Sequence, residues 1–76
     1  MITSEQIRAG RALLRLTIAD LAKLANVGEA TIKRVEAGSG LPSANIRTLD
    51  SIIRAFQNAG VELVGTPDDR PGVRLK

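Results

Sequence analysis

The sequence predicts a mainly α domain, four helices followed by two short β-strands. Three observations carry that prediction. From Ile2 to Phe56, apolar side chains recur at three- and four-residue spacing. Thr-x-x-Gln and Thr-x-x-Asp boxes, with Asn and Gly stops, divide that stretch into helix-length pieces. After Gly60 the period changes to two, in Val61-Glu62-Leu63-Val64 and again in Val73-Arg74-Leu75.

The first helix starts at a signposted cap. Thr3 and Gln6 stand three apart as a capping box, with Ile2 and Ile7 at the hydrophobic-staple positions. The helix runs to about Leu14, with Ile7, Arg11 and Leu14 on one stripe. Gly10 lies inside it and costs roughly 1 kcal/mol against alanine, which points to close packing with a neighbour. Thr17 and Asp20 form a second box, and the next helix runs from about Ile18 to Leu24 or Ala25. Ala22 is small enough to let another helix cross closely. Asn26 is the expected stop, since asparagine tolerates left-handed backbone. Val27 then plugs the core from the turn.

The third helix is expected from about Gly28 to Ala37, with Gly38 as its stop. At 100° per residue, Thr31, Ile32, Val35 and Glu36 fall on one half. Glu29, Ala30, Lys33, Arg34 and Ala37 fall on the other, which is open to a partner. Ser43 or Asn45 caps the fourth helix, whose apolar set is Ile46, Leu49, Ile52, Ile53 and Phe56, and Gly60 ends it. The turn-rich Gly65–Gly72 segment separates two strands too short to stand alone in water. The expected organisation is therefore a helical domain over residues 1–60 and a β extension over 61–76.

Composition narrows the function. The 76 residues contain no cysteine and no histidine, so disulfides are excluded and zinc or imidazole chemistry is disfavoured. No cofactor or metal site is expected: Asp68-Asp69 reads as a turn pair. No nucleophile–base pair or glycine-rich phosphate loop suggests an enzyme. No apolar run reaches membrane-spanning length and no signal-peptide pattern opens the chain, so a cytoplasmic protein is expected. The net charge of +3 resides in residues 1–60, which hold eight Lys or Arg against five Asp or Glu; residues 61–76 are neutral. Phe56, the only aromatic, belongs to a core, so stacking on single strands is not expected.

Residues 16–43 read as a short helix, a three-residue turn and a second short helix with a charged outer face. That arrangement inserts a helix into the major groove of DNA. A charged face alone is more often solvated surface; the turn and the flanking caps favour the DNA reading.

Residues 5–43 resemble the Cro/lambda-repressor-like helix-turn-helix family, also called the XRE family. Leu16-Thr17, Leu21-Ala22, Val27, Thr31-Ile32, Arg34, Glu36, Gly38 and Pro42-Ser43 carry the resemblance. It implies that the third helix is the recognition helix, with Glu29, Ala30, Lys33 and Arg34 at base-contacting positions. The chemistry agrees: Arg34 can pair with guanine, Glu29 can accept from cytosine N4, and Ala30 can pack on a thymine methyl. Arg15, Thr17, Thr31 and Arg47 are the expected contacts to the DNA backbone. The resemblance also implies a structural ion pair between Arg11 and Glu36. The family usually has glutamine where this chain has Ile18, and often glycine where it has Arg15. Arg8, Lys23 and Arg54 read as solvated charges.

The expected function is a sequence-specific double-stranded DNA-binding regulator, a homodimeric repressor on a near-palindromic site. Val61, Leu63, Val64, Val73 and Leu75 are the expected dimer interface. The alternatives are an antitoxin autoregulating its operon and a protein-interaction adaptor that uses the same helices without DNA.

Overall fold

The computed structural model describes all 76 residues. Four helices are followed by an antiparallel hairpin: α1 (Ser4–Leu13), α2 (Ile18–Ala25), α3 (Glu29–Glu36), α4 (Ile46–Asn58), β1 (Val61–Thr66) and β2 (Asp69–Leu75).

Local chemistry explains most of the boundaries. Gln6 N–H donates to Thr3 Oγ1 at 3.1 Å, and Thr3 N–H donates to Gln6 Oε1 at 2.8 Å. The box at Thr17 and Asp20 closes in the same way, at 2.9 and 3.0 Å. Asn45, not Ser43, caps α4 by accepting from Thr48 N–H at 2.8 Å. Asn26 takes the left-handed conformation, φ 56, and ends α2. Arg15 does the same after α1, at φ 55. In both turns the next two N–H groups fold back onto helix carbonyls: Arg15 to Ala12 and Leu16 to Arg11, then Asn26 to Lys23 and Val27 to Ala22. These bonds satisfy the carbonyls a helix end leaves open.

Gly38 does not stop α3 as expected. It has no left-handed backbone; Gly40 has, at φ +71. α3 ends at Glu36, one residue short of the expected Ala37, which is still right-handed. Ile46 also departs from expectation. It is 77% exposed, because it occupies the first position of α4, and Leu49, Ile52, Ala55 and Phe56 turn inward instead.

The core draws on every helix and on β1. Phe56 is its largest fully buried side chain, worth about 1.5–3 kcal/mol by transfer from water. Gly10 explains itself here. A Cβ at that position would lie 2.9 Å from the Phe56 ring, so glycine is what makes room on α1 for that ring.

The strands are longer than the sequence pattern suggests, and the turn shrinks to Pro67-Asp68. Val61 pairs with Leu75, Glu62 with Arg74, Leu63 with Val73 and Val64 with Gly72; after an irregularity, Thr66 pairs with Asp69. Left-handed Gly65 (φ 73) and Arg70 (φ 52) absorb that irregularity. A Cβ on Gly65 would meet the Arg70 carbonyl oxygen at 2.2 Å. Leu63 and Val73 pack against the core, and Val61 lies inside it, fully buried within its own chain. Val61 is therefore core and drops out of the expected dimer surface.

Gln6 fixes the hairpin to α1. Its Nε2 donates to the carbonyls of Gly72 at 2.9 Å and Val64 at 3.2 Å. The same side chain thus completes a helix cap and clamps both strands.

Candidate nucleic-acid interface

α2, the Asn26 turn and α3 form a compact unit whose inner faces are apolar. Leu21, Ala22, Ala25, Ile32 and Val35 are buried, and Ile18 and Val27 pack against them. With Ile32 and Val35 inward, helical geometry turns the opposite side of α3 outward.

That outward side holds Glu29, Ala30, Lys33 and Arg34, all exposed. None of the three charged residues forms a salt bridge within the chain. Two free cations and one carboxylate therefore stand on a single helix face. Arg15 and Thr17 are exposed at the turn before α2, and Arg47 is exposed in the first turn of α4. Thr31 is half-buried at the edge of the core, so only part of its side chain faces out. Thr17 Oγ1 accepts from Asp20 N–H. Asp20, bonded by Thr17 N–H and beside Lys23, is held below the usual carboxylate range.

Behind this face, Arg11 and Glu36 meet as a two-pronged pair. Arg11 Nε and Nη2 lie 2.8 and 3.0 Å from the two carboxylate oxygens of Glu36. Nη1 donates to the Leu16 carbonyl at 3.0 Å. The Glu36 side chain is only 7% exposed, that of Arg11 27%. Its hydrogen bonds to the Glu36 carboxylate raise the Arg11 pKa above its ordinary value. Such a pair joins α1 to α3 at two points, and removing one partner strands a buried charge.

The helix-turn-helix family model matches residues 7–62, most of the chain. The protein belongs to the Cro/lambda-repressor-like helix-turn-helix family. Members of this family bind double-stranded DNA and regulate transcription, which agrees with the exposed face of α3. No curated protein matches the chain in sequence. The family match ends at Glu62, so most of the hairpin lies beyond it. No helix is long and apolar enough to cross a membrane.

Two residues act where sequence spacing gave no sign. Arg8, read as a solvated charge, is half-buried: its Nη1 donates to the carbonyls of Glu36 and, at 2.7 Å, Gly38. Gln6, read only as half of a capping box, also holds the hairpin. In both cases the partner is a distant backbone carbonyl, which every residue type carries.

Proposed function

We propose that this family member is a sequence-specific transcriptional repressor that works as a homodimer on a near-palindromic site, with α3 lying in the major groove. The observation that carries the reading is the outward face of α3, where Lys33 and Arg34 have no partner in the chain and Glu29 stands beside them. A solvated surface helix commonly pairs such charges along its length. Here they are left for another molecule. Arg34 reads guanine through O6 and N7, Glu29 accepts from cytosine, Ala30 covers a thymine methyl, and Lys33 adds a base or phosphate contact. Arg15, Thr17, Thr31 and Arg47 hold the DNA backbone.

Dimensions support pairing. The longest axis of the chain is 29 Å. Successive major-groove faces lie roughly 34 Å apart, so one copy cannot occupy two of them. The hairpin supplies the contact surface, through Leu63, Val64, Val73 and Leu75; Leu75 is 56% exposed. Repression then follows from occupying a promoter.

Binding-site selection from random duplex DNA tests the reading. A palindromic consensus is expected. On that site Arg34→Ala loses about 1–3 kcal/mol and relaxes preference at one base position per half-site. Selection without enrichment rejects the DNA reading in favour of an adaptor; enrichment with undiminished preference in the variant rejects Arg34 as the base reader.

A further inference from the structure

α3 is poorly equipped to hold its own C-terminal end. It has eight residues, well short of the roughly 12–15 that give an isolated helix marginal stability. Gly28, at its start, offers no side-chain cap, and no left-handed residue closes its end. Its last carbonyls therefore need donors from elsewhere.

α1 supplies them along one stripe. Ser4, Arg8 and Arg11 are spaced four and three apart, so they share a face. Ser4 Oγ donates to the Val35 carbonyl at 2.6 Å. Arg8 Nη1 donates to the carbonyls of Glu36 and Gly38, and its charge lies at the negative end of the α3 dipole. Arg11 grips the Glu36 side chain. Next to the stripe, the Glu5 carboxylate accepts from Gly40 N–H at 2.9 Å, and Ser4 N–H donates to the Gly40 carbonyl at 2.9 Å. Bonds from its own and the Gly40 backbone N–H groups keep the Glu5 pKa below its ordinary value. The end of α3 and its exit loop are thus capped from outside.

We propose that Arg8 is a positioning residue for DNA recognition: by bonding two carbonyls at the end of α3, it fixes the turn that aims Arg34. Arg34 lies in that last turn, two residues before Glu36. A bidentate contact to guanine depends on the direction of the guanidinium, so loosening this turn weakens base reading. Arg8 itself touches no DNA. The proposal rests on α3 being the helix that reads DNA.

The test compares the full-length protein with Arg8→Met, which keeps the stem and removes the donors. Arg8→Lys keeps the charge but replaces the planar fork with a single ammonium. Affinities are measured across a salt series for the selected duplex and a scrambled one, with helicity checked by circular dichroism. Arg8→Met is expected to bind the selected duplex about tenfold more weakly, near the lower end of what one lost base contact costs. Binding to the scrambled duplex and the salt slope stay at their wild-type values, and Arg8→Lys falls between. Equal losses on both duplexes, with the slope reduced by about 1, make Arg8 a phosphate contact and overturn the proposal. An undiminished preference also overturns it.

Amide hydrogen exchange on the unliganded protein gives a readout that needs no DNA. Faster exchange at Val35, Glu36 and Ala37 in Arg8→Met, with α4 unchanged, is expected; unchanged exchange there overturns the proposal. If Arg8→Met does not fold, Arg8→Lys is read by the same criteria. A wild-type chain that binds no duplex fails the DNA reading, and the exchange result then still decides whether Arg8 holds the turn.

Discussion

Arg15 holds left-handed backbone at the junction of α1 and α2, at φ 55. For a residue with a Cβ this conformation costs roughly 1–2 kcal/mol. Glycine would relieve that strain but would also loosen the unfolded chain, by roughly 0.5–1 kcal/mol. Arg15→Gly is therefore expected to leave stability unchanged or raise it by up to about 1.5 kcal/mol. If Arg15 holds a phosphate, the same variant binds DNA more weakly, with a salt slope lower by about 1. A thermal melt and a salt titration separate the two effects. A clearly lower melting temperature contradicts the strain, and an unchanged slope removes Arg15 from the phosphate contacts. At this scale the sequence was readable where chemistry is local. Thr3 with Gln6 and Thr17 with Asp20 lie three residues apart, so their bonds follow from helix geometry. Arg8 and Gln6 were unreadable because their acceptors are main-chain oxygens 28 to 66 residues away. No side-chain pattern marks such an oxygen.

Between elements, the contact of α1 with α4 depends on what is missing at Gly10. Alanine there would gain roughly 1 kcal/mol of helix propensity. Its Cβ would also stand 2.9 and 3.0 Å from two atoms of the Phe56 ring. That ring is fully buried and cannot swing into solvent. Overpacking typically costs about 1–3 kcal/mol, so the clash outweighs the gain. Gly10→Ala should lower stability by about 1 kcal/mol in chemical denaturation; a more stable variant would mean that the helices part without cost. Helix existence and order were legible from period and caps. The stop of α3 was not, because Gly38 matches a glycine stop while the real closure comes from another helix. The hairpin was under-read for a similar reason: Arg70 is not a residue that advertises left-handed backbone.

Across the whole molecule, the hairpin is part of the fold and, in the function proposed, the surface offered to a second copy. Val61 fills the core, while Leu75 at the other end of the same register pair is exposed. Leu75→Lys should therefore leave the fold intact and shift the protein to monomer in sedimentation, with loss of tight binding to the palindrome. A variant that stays dimeric moves the interface away from the hairpin. Deleting residues 61–76 is expected to abolish the fold itself, visible as lost helicity, because Val61 and both Gln6 acceptors are removed together. The Gln6 clamp also bears on how the chain is made. Its two acceptors lie 58 and 66 residues downstream, among the most distant pairings a chain of this length can contain. Any nascent segment that stops short of Gly72 lacks one of them. Until then the Gln6 amide lacks at least one of the two acceptors it has in the folded chain. The clamp therefore closes only once Gly72 is available, and proteolytic trimming that removes Gly72 would undo a bond made at residue six.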